Sequence, residues 1–373
     1  MGKSRMNKGI LALVFALLLA LIGTGRPANS QVQGPIQPPP PSPPQQGQTP
    51  QQGQPLPPAP ANAPQYSVKV QTQAVNVDVI VTDDNGNPIP GLKEQDFRVF
   101  DNGVPQRIAN FAPTDSPITI VILMEYSNIY YGWFSYTGAQ WAYEFLSQLR
   151  PEDWVALVTY DLHPRIDVDF THSASNVRDA LQSLGYPGFS ESDMFDALLF
   201  TLNRLQNVKG KKAILLISSG LNTFSAHGLD DVLNRLKETE TTIFSVGVAR
   251  PLLNWAQSQG MLGPIQQLNF LQAENEMSAF ARYTGGRSWF PQFSGEMPSI
   301  FEQVAASLRS EYSIAYVPSD RPNDGKYHKI KVALEAPDGK PLVMINQHHK
   351  KVKYHIYARE GYMAPKPQGS PTN

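Results

Sequence analysis

The chain contains no cysteine. A disulfide framework, a thiolate metal centre and a cysteine nucleophile are therefore excluded. Charge of one sign is lacking as well. Lys and Arg number 31 against 32 Asp and Glu, and the basic residues are dispersed rather than clustered, which argues against nucleic acid as the main partner. No Gly-rich phosphate loop follows a strand pattern, and Ser218-Ser219-Gly220 lacks the flanking glycine of a nucleophile elbow. The seven histidines show no catalytic spacing. His348, His349 and His355 could suggest a metal cluster, but neighbours on a strand face opposite sides, so with Lys350, Lys351 and Lys353 they read as a solvated basic hairpin. Together these absences point away from an enzyme. The apolar run Ile10–Ile22 is also shorter than the roughly 20 residues that span a bilayer, so no membrane span is expected in the mature chain.

What is present begins with an export layout. Lys3, Arg5 and Lys8 precede the apolar run, and Ala28-Asn29-Ser30 supplies small residues for cleavage, so residues 1–30 read as a signal peptide. An uncleaved N-terminal anchor is the alternative. Export places the protein in the periplasm, the cell envelope or outside the cell. Residues 31–65 are rich in Pro and Gln, with no charged or aromatic residue, and read as a disordered, extended tether.

The remaining 300 or so residues are long enough for two domains. Residues 66–115 read as β: Val75, Val77, Val79 and Val81 alternate with other residues, and Asp101-Asn102-Gly103 joins strands over Phe97–Phe100 and Gln106–Phe111. Asp83-Asp84 reads as turn chemistry, because the spaced ligands of a calcium loop are missing. Residues 116–311 alternate strand and helix patterns. Ile118–Met124 is an unbroken apolar, β-branched run, as expected for a strand buried on both faces of a parallel sheet. Further strands are expected at Trp154–Tyr160, Ile166–Phe170, Ala213–Ser218, Thr242–Val248 and Arg287–Phe290. Helices are expected near Ala139–Leu149, Ala174–Leu184, Met194–Leu205, Gly228–Glu240, Gln266–Tyr283 and Glu296–Ser310, with Pro251–Gly263 as an irregular connection. Residues 312–365 return to β, and 366–373 read as a disordered tail. Neither β flank has strands enough to stand alone. The fold class is therefore α/β: a doubly wound, mostly parallel six-stranded sheet, with a β-sandwich built from both flanks.

The polar break Glu125-Tyr126-Ser127-Asn128-Ile129 follows the central strand, where open α/β sheets place their ligand crevice. This break resembles the Asp-x-Ser-x-Ser opening of a von Willebrand factor type A (VWA) domain. The segments Val77–Phe111, Tyr312–Pro318, Gly325–Lys331 and Arg359–Pro365 resemble the secreted VWA-related proteins described from acidobacteria. The resemblance implies a magnesium or calcium site on the central strand. Its first acid falls on Glu125, its first hydroxyl on Ser127 and its second on Ile129, which has no oxygen. The second-loop threonine falls on Ser192, beside Asp193, and the third-loop aspartate falls on Ser219. A hard cation needs a near-complete oxygen shell, so this set reads as degenerate. The alternative is a modified site still able to hold magnesium or calcium, with Asp193 or Asp161 helping.

Tyr126, Tyr130, Tyr131, Trp133, Phe134, Tyr136 and Trp141 crowd the same region. Such aromatic density suits a protein-binding rim, to which Asn128 and Asp161 are assigned as well. The expectation is an exported, non-enzymatic module recognising a protein through its top-face loops. A metal-dependent adhesin, a structural envelope protein and a hydrolase built on Glu125 are the rivals.

Overall fold

The computed structural model describes residues 74–113, 116–128, 143–260, 263–319, 324–345 and 349–366. The signal segment, the tether, the tail beyond residue 366, and Ile129, Tyr130, Tyr131, Trp133, Phe134, Tyr136, Trp141 and His348 lie outside the described residues. Of the helix expected over 139–149, residues 143–146 are described and helical.

The N-terminal flank contributes β1 (Val75–Asp83), β2 (Phe97–Asp101), β3 (Val104–Gln106) and β4 (Ile108–Pro113). The middle of the chain gives β5 (Ile118–Glu125), β6 (Trp154–Tyr160), β7 (Pro164–Thr171), α1 (Ala174–Ser183), α2 (Met194–Leu205), β8 (Lys211–Ser218), α3 (Leu229–Glu238) and β9 (Thr242–Gly247). There follow α4 (Arg250–Ser258), α5 (Pro264–Thr284), β10 (Ser288–Trp289) and α6 (Met297–Arg309). The C-terminal flank adds β11 (Glu311–Tyr316), β12 (Tyr327–Leu334), β13 (Met344–Ile345), β14 (Lys351–Val352), β15 (Tyr354–Ala358) and β16 (Gly361–Met363).

The central sheet has the order β10-β9-β8-β5-β6-β7. All its pairings are parallel except β6 with the edge strand β7. Every residue of β5 is buried, as its unbroken apolar run demands, and its side chains feed two cores. Ile118, Ile120, Ile122 and Met124 point to one face, covered by Phe145, α1 and α6. Val121 and Leu123 point to the other, covered by α2, α3 and α5. Truncating any of these large side chains to alanine costs about 2–5 kcal/mol.

The two flanks build two antiparallel sheets together. One has the order β15-β1-β11-β4 and the other β16-β12-β2-β3. Val77, Val79 and Val81 of β1 share one core with Phe97, Val99, Ile314, Tyr316, Ile330 and Leu334, so N- and C-terminal strands bury each other's apolar faces. Ile80, on the opposite side of β1, joins the core beneath α6. Arg287 pins the same junction. Its guanidinium donates to the Gly86 carbonyl (3.0 Å) and the Ser307 hydroxyl (3.1 Å) and lies over the rings of Trp289 and Tyr357.

Two expectations need correction. The strand expected over Gln106–Phe111 divides: β3 closes a tight hairpin with β2 through Asn102 and Gly103, both at positive φ, and β4 then crosses to the other sheet. Pro251–Gly263 is not merely a connection, since α4 occupies most of it. Pro251 stands in the first turn, where its missing N–H costs nothing, and Leu253 packs with Leu221, Ala249 and Phe270.

Candidate functional site

The site forms where β5 and β8 end side by side. Glu125, the last residue of β5, is buried and its carboxylate has four donors. Oε1 accepts from the Ser127 hydroxyl at 2.9 Å. Oε2 accepts from the Ser218 hydroxyl (2.9 Å), the Ser219 N–H (2.8 Å) and the Ser219 hydroxyl (2.7 Å). The chain of bonds extends outward, because the Tyr160 phenol donates to Ser218 at 2.8 Å. Burial pushes the Glu125 carboxyl above the ordinary carboxylate range, and the four donors pull against that rise. Burial, then the charge of Glu125, raise the Tyr160 phenol in turn.

The third loop owes its path to Gly220, at φ +80°. A side chain there would stand 2.9 Å from Met277 Sδ and 3.0 Å from Ala273 Cβ, so α5 lies directly on this turn. The second loop is stitched to the third. The Ser192 N–H donates to the Thr223 hydroxyl and the Thr223 N–H returns to the Ser192 carbonyl, both at 2.8 Å. Asp193 N–H donates to the Asp161 carbonyl (2.9 Å), and its carboxylate accepts from Ser225 (3.0 Å). Burial moves that carboxyl up to about 6. Asp196 holds the loop further out, accepting from the N–H groups of Ala226 (2.7 Å) and His227 (3.0 Å). The Ser192 hydroxyl is buried, and its polar neighbour among the described residues is the Tyr160 phenol, too poorly aligned for a full hydrogen bond.

Glu125, Ser127 and Ser219 thus meet in one network, while Ser192 and Asp193 sit beside it on the second loop. Ser218 and Tyr160 belong to the network and were missed from sequence. The signal was a serine closing an otherwise apolar strand and a tyrosine closing its neighbour. Among the described residues no three carboxylate or imidazole groups converge as a metal cluster would require.

Of the expected rim, Tyr126 is corrected. It is only 6% exposed, packs in the core with Ile122 and Met124, and donates its hydroxyl to the Gly185 carbonyl at 2.7 Å. A strand-end residue whose side chain points back beneath the loop is packing, not surface. Asn128 is half-buried. It donates its N–H to the Phe189 carbonyl (2.8 Å) and accepts from the Tyr186 hydroxyl. Asp161 is half-buried at the mouth. The exposed aromatics here are others: Tyr186 (67%), Phe189 (48%) and Phe224 (62%). Phe189 and Phe224 are tied by backbone bonds to Asn128 and Ser192 respectively, so both stand at the site's edge. Isolated aromatics in polar Gly/Pro/Ser loops were the signal for them. A groove of about 310 Å³ runs beside Tyr186, and its Arg165 and Asp167 are already paired at 2.8 Å.

Residues 120–276 match the family model described as the von Willebrand factor type A domain. Three solved structures are similar to the chain. A von Willebrand factor type A protein from Catenulispora acidiphila has 10% identity and a TM-score of 0.42, over 79% of this chain and 75% of that one. The vWF domain of a type V pili tip protein from Porphyromonas gingivalis has 11% identity and a TM-score of 0.38, over 52% and 95%. Proximal thread matrix protein 1 from the mussel byssus, with a zinc-occupied MIDAS motif, has 13% identity and a TM-score of 0.40, over 54% and 48%. Among curated proteins none matches the chain.

Proposed function

Residues 120–276 form a von Willebrand factor type A domain, and on that premise we propose that the protein is an exported, non-enzymatic module that binds a protein partner without a metal ion. VWA domains are in general interaction modules, and the observation that carries this reading is the exposure of Tyr186, Phe189 and Phe224 on loops bonded to Asn128 and Ser192, beside a buried acid whose carboxylate has four donors. Exposed aromatics clustered at loop ends are costly in water and supply the anchors of protein interfaces. Export rests on the basic and apolar layout of residues 1–30. No helix among the described residues is long and apolar enough to cross a membrane.

The residues present do not fit a divalent cation. Such an ion needs several oxygens turned towards one point. Here the hydroxyls of Ser127, Ser218 and Ser219 and the Ser219 N–H all donate to Glu125, one to Oε1 and three to Oε2, so these hydroxyls are committed to the acid. The longer glutamate side chain reaches across to the third loop and occupies the role that a bridging ion would play. Burial also favours the uncharged form of Glu125, which weakens its pull on a cation. One observation favours the rival, metal-dependent reading: the buried Ser192 hydroxyl, next to Asp193, is only weakly engaged by the Tyr160 phenol.

Capture from an envelope extract by the immobilised full chain separates the two. Binding that saturates, is unchanged by chelator and falls at least about tenfold in the variant Tyr186→Ser, Phe189→Ser, Phe224→Ser supports the metal-free module, since a lost anchor is worth about 2 kcal/mol or more. Binding abolished by chelator supports the adhesin.

A further inference from the structure

The sandwich core contains a polar cluster that the top-face reading does not use. Asp101, Tyr316, His328 and Tyr362 are each at most 8% exposed. Asp101 Oδ2 accepts from the hydroxyls of Tyr316 (2.9 Å) and Tyr362 (3.0 Å). Asp101 Oδ1 lies 2.8 Å from Nδ1 of His328. The other ring nitrogen, Nε2, lies 3.1 Å from Asp324 Oδ1. The Tyr362 ring leans on the imidazole, with centroids 5.2 Å apart.

Donor counting sets the protonation state. An ionised carboxylate only accepts, and neutral imidazole has one N–H. With a carboxylate at each nitrogen, both contacts are made only by the imidazolium. Asp101 already accepts from two phenols, so it offers His328 an acceptor and not a donor. The members come from both sheets: Asp101 ends β2, His328 lies on β12, Tyr362 on β16 and Tyr316 on β11. β1 begins at Val75, directly opposite Tyr316, so the cluster sits at the end where the N-terminal strand enters the sandwich.

We propose that His328 is a proton-operated clamp of the sandwich, closed while the imidazolium bridges Asp101 and Asp324 and opened by alkaline pH. Removing the proton leaves one carboxylate facing a ring lone pair, either buried Asp101 or half-buried Asp324, and an unpaired charge there is costly. The groups facing the imidazole are Asp101, Asp324, Tyr316 and Tyr362, with Lys326 close to Asp324. The two carboxylates raise the histidine above its ordinary 6.5 against the opposing effect of burial. A raised histidine stabilises the fold fully below pH 6.5, and that contribution is lost as pH climbs through its folded value.

The test is an NMR titration of the histidine Cε1 signals in the full chain, with His328 assigned by its absence in His328→Gln. Amide exchange of β11, β12 and β5 is followed over the same pH range. The clamp predicts that His328 keeps its proton above pH 6.5, and that protection in β11 and β12, taken relative to the base-catalysed intrinsic rate, falls through the same midpoint while that of β5 does not. Asp324→Asn should lower the midpoint, and His328→Gln should abolish the step. If His328→Gln does not fold, the titrations of the natural chain and Asp324→Asn decide. A His328 midpoint at or below 6.5, a midpoint unmoved by Asp324→Asn, or β5 loosening together with β11 overturns the proposal.

Discussion

Replacing Glu125 asks most of the network at the top of the central sheet. Glu125→Ala removes the acceptor of four bonds at 2.7–2.9 Å. The serine hydroxyls can rotate towards other acceptors, but the Ser219 N–H is fixed by the backbone and has nowhere to turn. A buried donor left unsatisfied costs about 1–3 kcal/mol, and the emptied space adds to that. Removing an acid that burial already disfavours gives some of it back. The net expectation is a loss of about 2–4 kcal/mol. Glu125→Gln keeps one acceptor oxygen towards Ser219 and presents its amide to Ser127, whose hydroxyl can turn to accept, so it should cost about 1 kcal/mol. Glu125→Asp withdraws the carboxylate by one methylene and should fall between the two. Urea unfolding followed by circular dichroism ranks the series. If Glu125→Ala unfolds within about 0.5 kcal/mol of the natural chain, the network does not hold the loops together.

Three further outcomes follow from other buried groups. Burial moves Glu311 up to about 7 from an ordinary 4.5 although Lys211 stands 2.8 Å away, so the folded state binds the extra proton between those values. Stability should therefore fall by on the order of 3 kcal/mol as pH rises from 4.5 to 7. Glu311→Gln should reduce that slope in pH-dependent melting, leaving the parts due to Asp193 and Glu125, which burial also raises; an unchanged slope would count against the assignment. Gly220→Ala combines a positive φ with contacts at 3.0 Å or less, and should lower stability by about 2–4 kcal/mol in the same urea assay. Asp153 accepts from the N–H groups of Ile118 (3.0 Å) and Arg150 (2.7 Å) and pairs with Arg309, so Asp153→Ala should cost about 3–5 kcal/mol by calorimetric melting.

The central sheet was legible because β5 runs almost wholly apolar from Ile118 to Met124, a pattern that burial on both faces explains. The shared sandwich was legible by strand counting, since neither flank could bury its own valines. Helix α4 was hidden because Pro251 looks like a breaker and its apolar face is short; only the cover it gives Leu221 and Phe270 makes it a helix. The crossing of β4 between sheets was hidden for a similar reason, because alternation names the faces of a strand and not its sheet. At the site, Glu125, Ser127 and Ser219 were found by position. The reach of the glutamate to Ser218 was not visible, because it depends on how far two strand ends stand apart. Tyr126 was assigned to the surface because aromatic density in sequence does not tell which way a ring points.

Calorimetric titration of magnesium, and separately calcium, into the full natural chain tests the metal-free reading most directly. The natural chain should give no saturable heat at millimolar ion, and binding should become measurable once Glu125→Asp, Ile129→Ser and Ser219→Asp are introduced together to restore hard oxygen ligands. Saturable binding by the natural chain, lost on Glu125→Gln, would contradict the metal-free reading and favour the metal-dependent one.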